Sequence, residues 1–128
     1  MLLISCNLGD RPSPAVVQGM VQGLADASLA QMREAGEHGL PALYAAGIRY
    51  VREPYRRERW QTALETLSRK VGDCEDLAAY LCAQLVFQGE AARVYCYAPR
   101  PGLIHCVVRR ADGQIEDPSK KLGMRGKG

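Results

Sequence analysis

GDCEDLAAYLCAQLVFQG (residues 72–89) carries the clearest structural signal in this chain. Its apolar residues recur three and four positions apart, which is the spacing of one face of an α-helix. Asp73 is a good N-cap residue, and Gly89 is a natural C-terminal stop. The stretch therefore predicts a helix that begins at Cys74, ends before Gly89 and lies at the centre of the fold.

The sequence before this helix also predicts helical structure. Ser13 and Pro14 are a suitable N-cap and first-turn pair, and apolar residues follow at helical spacing over 17–28. Pro41 opens a second predicted helix over 41–51, and a third apolar series runs over 60–71. These patterns indicate a helical N-terminal half.

Beyond Gly89 the apolar period changes from helical spacing to alternation, which indicates strands. Strands are predicted over 92–98 and 103–109, with turn residues over 99–102 between them. A hairpin signal at 111–113 leads into a short third strand over 114–117. We therefore expect an α+β fold in which the cysteine-bearing helix packs on a small antiparallel sheet.

Composition limits the functional classes that fit. The chain has 128 residues, 47% of them hydrophobic, and a net charge of +3, so it predicts one globular domain with no strong demand for nucleic acid. Its apolar runs are shorter than the roughly 18 residues needed to cross a membrane. The five cysteines are odd in number and include no closely spaced pair, so we expect a reducing compartment, no disulfide framework and no metal site.

Cys74, His105 and Asp117 are the candidate catalytic residues, because thiol acyl-transfer sites combine a cysteine, a histidine and a carboxylate or amide. A thiol in the first turn of a helix lies near unpaired N–H groups and the positive end of the helix dipole, and both favour the thiolate. The same N–H groups can also hold a developing oxyanion. Taken singly, Cys74 and His105 are also typical of buried core residues.

The loop of the last hairpin decides whether Asp117 can reach His105. A two-residue loop would place the two side chains on opposite faces of the sheet. A three-residue loop at 111–113, with Gly113 in the left-handed conformation, pairs residue 110 with 114 and residue 107 with 117. His105 and Asp117 then become diagonal neighbours on one face, which is the arrangement we predict.

Three motifs give the chain a family resemblance. GDCEDLA (72–78), IHCVV (104–108) and IEDPS (115–119) resemble, in this order, the nucleophile, histidine and Asp-Pro-Ser motifs of the transglutaminase-like superfamily, which has a papain-like core. The chain is most similar to small phage and prophage members. The resemblance covers 40–124, which leaves an N-terminal helical segment (1–39) and a basic tail (125–128). The short spacing from His105 to Asp117, and a cysteine at position 106, depart from the family pattern.

The resemblance implies roles for individual residues. Cys74 would be the nucleophile, His105 the general base and then acid, and Asp117 its orienting partner. Trp60 and Gln61 are candidates for an oxyanion donor, and Asp73 neighbours the nucleophile. No cofactor and no metal are expected.

The resemblance also implies an amide-bond reaction on a protein or peptide, resolved by water or by an amine. Phage structural proteins are possible partners; no membrane and no nucleic acid are expected, and the location would be the cytoplasm of a bacterial host or a phage particle. Two alternatives stay open. One is a catalytically silent virion or assembly protein that uses the fold for binding, and the other is nucleic-acid binding through the basic tail.

Overall fold

The computed structural model describes residues 12–52 and 59–125. Along the chain these residues form helices, a short 3₁₀ turn and five strands. The helices are α1 (Pro14–Glu34), α2 (Ala63–Arg69), α3 (Cys74–Phe87) and α4 (Pro118–Lys121), and the 3₁₀ turn is Leu43–Ala45. The strands are β1 (Arg49–Tyr50), β2 (Val71–Gly72), β3 (Arg93–Arg100), β4 (Leu103–Arg109) and β5 (Ile115–Glu116).

The α+β class predicted from the sequence is confirmed. Strands β3, β4 and β5 form an antiparallel sheet in that order, and β1 pairs with β2 in parallel. Helix α3 lies at the centre, where it packs against α1, α2 and the sheet. The shared core includes Val17, Val21, Leu24 and Met32 of α1, Leu77, Ala78, Leu81 and Leu85 of α3, and Val94, Cys96, Cys106 and Val108 of the sheet.

Local sequence signals explain where the two long helices begin. The Ser13 hydroxyl accepts a hydrogen bond from the Val16 N–H at 3.2 Å, as the N-cap prediction requires. Asp73 caps α3, and Asp76 accepts a reciprocal bond from the Asp73 N–H at 3.1 Å. This capping box fixes Cys74 as the first residue of α3.

The prediction of a helix over 41–51 is wrong. Only the 3₁₀ turn forms there, and Gly47 then takes a φ of +74°, which leaves the right-handed helical region. The Arg49 N–H donates to the Lys70 carbonyl at 3.1 Å, and the Val51 N–H donates to the Gly72 carbonyl at 2.9 Å. Pairing with β2 therefore overrides the local helical pattern.

Helix α1 covers the outer edge of the sheet with side-chain amides. The Gln22 Oε1 atom accepts from the Val94 N–H at 2.9 Å, and the Gln18 Oε1 atom accepts from the Cys96 N–H at 3.0 Å. Strand β3 is an edge strand, so these N–H groups would otherwise lack a partner in the sheet. The two glutamines thus join α1 to the sheet by specific hydrogen bonds as well as by apolar contact.

The predicted three-residue loop between β4 and β5 is confirmed. Gly113 has a φ of +87°, and the Arg110 N–H donates to the Gln114 carbonyl at 2.7 Å. The ladder continues with Arg109 opposite Ile115 and Val108 opposite Glu116. This register brings Asp117 level with Val107, on the face that carries His105.

The predicted basic tail lies outside the described residues from position 126 onward, and so does the N-terminal segment over 1–11. Among the described helices, none combines the length and the apolar character that a membrane span requires.

Candidate active site

Cys74 lies where α3 begins, close to the edge of β4. Its side chain is 6% exposed. The backbone N–H of Cys74 donates to the Asp73 Oδ1 atom at 2.7 Å. This N–H was one of the groups expected to hold an oxyanion, and the N-cap residue already occupies it. The helix dipole still favours negative charge on the Cys74 sulfur.

His105 and Asp117 are directly hydrogen-bonded. The Nε2 atom of His105, on β4, lies 2.7 Å from the Oδ2 atom of Asp117, which is the N-cap of α4. The Asp117 Oδ1 atom accepts from the Lys120 N–H at 3.2 Å, which fixes the orientation of the carboxylate. Since Asp117 occupies Nε2, the Nδ1 atom is the ring nitrogen left for Cys74.

His105 and Cys106 both act on the ionisation of Cys74. The Cys106 thiol has the largest effect and lowers the pKa of Cys74; burial opposes it, and hydrogen bonds with His105 and the Cys106 N–H lower the pKa further. Burial acts to lower the pKa of His105, but hydrogen bonds to Asp117 and Cys74 prevail and raise it to about 9. Both shifts favour a thiolate–imidazolium pair over a neutral thiol and a neutral ring.

Cys106 is the functional neighbour that sequence reasoning missed. Its hydrogen bond to Cys74, its contact with Cys96 and its burial all raise the pKa of the Cys106 thiol, so it keeps its proton. Strand alternation places Cys106 on the core face and His105 on the opposite face. Both still act on Cys74, because α3 packs against β4.

Two acidic residues modify the charge around Cys74. The Glu75 Oε2 atom lies 3.4 Å from the Cys74 sulfur, a contact that requires a proton between the two atoms or else opposes the thiolate. Burial raises the pKa of Asp76 to about 8, although its carboxylate accepts hydrogen bonds from the N–H groups of Gln61 and Asp73. Asp76 is thus mostly uncharged at neutral pH, and Glu75 is the acidic side chain in contact with the thiol.

The structure assigns structural contacts to the three residues suggested around the oxyanion. The Gln61 amide donates to the Val71 carbonyl at 2.9 Å and to the Thr66 hydroxyl at 3.2 Å, which ties it to the α2–β2 region. Trp60 is buried in the core. Asp73 caps α3, where its carboxylate accepts a hydrogen bond from the Cys74 N–H.

A charged cluster next to Asp117 holds the end of β5 in place. Glu116 accepts hydrogen bonds from the Tyr44 hydroxyl at 2.5 Å, from Arg110 at 2.7 Å and from Lys121 at 3.1 Å. Arg110 also forms two hydrogen bonds with Glu90, at 2.6 and 2.7 Å. Because Asp117 directly follows Glu116, these contacts restrict the backbone that carries the orienting carboxylate.

An aromatic ring borders the histidine. Tyr97 lies opposite His105 on β3, with ring centroids 5.8 Å apart and planes at 87°, an edge-to-face contact. The alternation over 92–98 predicts which face of the strand carries Tyr97. It does not predict that Tyr97 lies opposite His105, because that depends on the register of the β3–β4 hairpin.

One group of potential metal ligands occurs among the described residues. Asp73, Cys74 and Glu75 each offer one ligand atom within 4.8 Å of the others. Asp73 already serves as the N-cap, and acidic residues are common at helix starts for electrostatic reasons, so the group gives no positive indication of a metal. Cys82 is separate from the site, since its sulfur contacts the Ala92 carbonyl at 3.6 Å.

No protein-family model, curated protein or solved structure matches this chain.

Proposed function

We propose that this chain is a transglutaminase-like thiol acyl-transfer enzyme that acts on amide bonds of proteins or peptides. The observation that carries the proposal is the 2.7 Å hydrogen bond between His105 and Asp117 beside Cys74, whose pKa His105 helps to lower. The three residues supply an ionised sulfur, a ring that can hold and return a proton, and a carboxylate that orients this ring.

The mechanism follows from the charge state of the pair. The Cys74 thiolate attacks the amide carbonyl carbon, and the His105 imidazolium then gives its proton to the leaving nitrogen. The resulting thioester is resolved by water or by an amine, which His105, now neutral, deprotonates. Asp117 stays ionised and stabilises the imidazolium, because its pKa is lowered by the bond to His105 in spite of burial.

The proposed setting comes from the motif resemblance. These motifs, within 40–124, support a role in the cytoplasm of a bacterial host or in a phage particle, with phage structural proteins as partners. The same three residues serve a peptidase, a deamidase and a transglutaminase, since the acylation half-reaction is common to all three.

Trapping the acyl-enzyme tests the proposal without a known substrate. The folded protein is incubated with p-nitrophenyl acetate at neutral pH, quenched in acid and mapped by mass spectrometry. We expect acetylation of Cys74, a burst of nitrophenolate, and loss of both in the His105→Ala variant. Cys82→Ala is the matched control, because Cys82 is a buried thiol of the same helix outside the site, and its pKa is raised by burial to about 11.

Acetylation of Cys74 no faster than that of Cys82 would contradict the enzyme proposal. That outcome would instead favour the binding-module alternative, in which the fold serves particle assembly without turnover. Where Cys74 does acylate, glutamine-containing peptides with and without hydroxylamine then distinguish the acceptors: hydroxamate formation indicates amine transfer, and ammonia release alone indicates hydrolysis.

A further inference from the structure

Cys74 is one end of a line of three thiols, Cys74, Cys106 and Cys96, which we call the three-thiol cluster. Cys106 occupies the middle position. Its sulfur lies 2.7 Å from the sulfur of Cys96, and Cys74 acts on its ionisation from the start of α3. All three are free thiols and all three are buried. In the acyl-transfer mechanism only Cys74 forms a bond to the substrate, so the sulfur chemistry of Cys106 and Cys96 is unused there.

The backbone places Cys96 and Cys106 in a position that accepts a disulfide. They are direct partners across β3 and β4. The Cys96 N–H points away from β4, because it donates to Gln18 of α1, so the two cysteines form a non-hydrogen-bonded pair. Such pairs bring Cα atoms to about 4.5 Å, inside the roughly 4.4–6.8 Å range of disulfides.

We propose that the three-thiol cluster is an oxidative modification site: a hydroperoxide oxidises Cys74, and the oxidation passes through Cys106 to leave a Cys96–Cys106 disulfide. The proposal shares with the proposed function only the reactive thiolate at Cys74. It requires no amide substrate.

The chemistry balances in three steps. The Cys74 thiolate attacks one peroxide oxygen and becomes a sulfenic acid, while the released hydroxide takes the His105 proton and leaves as water. The Cys106 sulfur then attacks the Cys74 sulfur, and the sulfenic hydroxyl leaves with the Cys106 proton as a second water. Finally the Cys96 sulfur attacks Cys106, its proton returns to His105, and Cys74 leaves as a thiolate. One hydrogen peroxide is reduced, and two thiols are oxidised.

We call this transfer of oxidation from Cys74 through Cys106 to Cys96 the relay. It gives Cys106 and Cys96 a protective function. An unresolved sulfenic acid at Cys74 can be oxidised further to the sulfinic acid, which is generally irreversible. Transfer of the oxidation to the β3–β4 pair returns the nucleophile to its reactive form.

Disulfide mapping of the full chain tests the proposal directly. The reduced protein receives one equivalent of hydrogen peroxide at neutral pH, free thiols are blocked with iodoacetamide, and chymotrypsin cuts at Tyr97 or Leu103 between the two strand cysteines. We expect a Cys96–Cys106 linkage with Cys74 recovered as the alkylated thiol. The Cys82→Ala control should behave in the same way. Absence of that linkage in the unmutated protein overturns the proposal.

Two variants test the order of events. In Cys96→Ala we expect the reaction to stop at a Cys74–Cys106 disulfide, with alkylation of Cys74 restored by dithiothreitol. In Cys74→Ala we expect the rate of Cys96–Cys106 linkage formation to fall by about ten-fold or more, because protonated thiols react poorly with peroxide. Equal rates with and without Cys74 overturn the relay.

The acetylation assay on reduced Cys96→Ala separates this proposal from the proposed function. Normal acetylation of Cys74 together with no disulfide in the unmutated protein means that the relay is wrong and the acyl-transfer proposal stands. If acetylation is lost while peroxide still forms the linkage through Cys74 in the unmutated protein, the acyl-transfer proposal is wrong and the relay stands.

Discussion

The charge state of the Cys74–His105 pair follows from a few neighbouring atoms. Sequence alone predicted the helix start at Cys74, the strand that carries His105 and the shared face with Asp117. It did not predict Cys106, because strict strand alternation assigns that residue to the core. The effect of Cys106 on Cys74 depends on how α3 packs against β4, which is a property of the folded protein and not of the residues around position 106.

The Asp117 carboxylate is expected to hold the proton on His105. In Asp117→Asn the negative partner is lost, so the pKa of His105 should fall from about 9 toward its ordinary value near 6.5. An NMR titration of the His105 ring measures this directly. His38, which is exposed and far from the site in sequence, serves as the internal control. An unchanged His105 titration would show that Asp117 does not stabilise the imidazolium.

The Glu75 carboxylate is expected to restrain ionisation of Cys74. Its Oε2 atom lies 3.4 Å from the sulfur, so Glu75→Gln removes a negative charge next to a developing negative charge. The pH at which Cys74 alkylation is half-maximal should therefore move downward. Glu65→Gln, on α2, is a control for a general loss of acidic charge. An upward shift in Glu75→Gln would mean that Glu75 assists the thiolate.

At the scale of elements, the helix–sheet arrangement was largely readable from local patterns. The N-caps of α1 and α3 and the three-residue loop with Gly113 all follow from residue chemistry in the sequence. The 41–51 segment was not readable, because its conformation depends on pairing with β2, some twenty residues further along the chain. Short strands of this kind carry too few residues for periodicity to reveal them.

The close approach of β2 to α3 gives a prediction at the same scale. A Cβ atom on Gly72 would lie 3.1 Å from the Asp76 Cβ and 3.1 Å from the Leu77 Cδ2 atom, so Gly72→Ala forces β2 away from the helix. We expect a loss of about 1–3 kcal/mol in the free energy of unfolding. Urea titration measures it.

Gly23→Ala on α1 is the matched control. A Cβ atom at Gly23 meets nothing within 4 Å, and alanine is the better helix former, so this variant should be neutral or more stable by up to about 1 kcal/mol. If Gly72→Ala were as stable as Gly23→Ala, the packing of β2 on α3 would differ from the one described.

At the scale of the whole molecule, α1 and α3 share one core. The three motifs all lie within 72–119, and nothing in them indicates how the segment before residue 40 packs. In the structure α1 packs through contacts that local sequence does not encode. Its apolar side chains lie on α3, and Gln18 and Gln22 bind the edge of β3. The Ser28 hydroxyl accepts a hydrogen bond from the Ala63 N–H at 3.0 Å.

Cooperative unfolding tests that shared core. Trp60 is the one tryptophan of the chain, so its fluorescence reports on the core near α2, whereas far-ultraviolet circular dichroism is dominated by α1 and α3. We expect both signals to change together in urea, and Leu24→Ala, at a side chain 2% exposed, to shift both by about 2–5 kcal/mol. Ala30→Gly, at an exposed α1 position, is the control for helix propensity alone. Loss of helical signal before the Trp60 transition would mean that α1 folds separately.

The pH dependence of Cys74 alkylation tests the central claim most directly, namely that His105 keeps Cys74 ionised. Iodoacetamide labelling is followed by peptide mapping from about pH 5 to about pH 9, with Cys82 as the slow internal reference. The account predicts that Cys74 reacts rapidly well below the ordinary cysteine pKa, and that His105→Ala reduces this low-pH reactivity, since burial still opposes the thiolate and Cys106 then acts without the imidazolium. Labelling of Cys74 that rises only at the pH of an ordinary thiol, and is unchanged in His105→Ala, would contradict it.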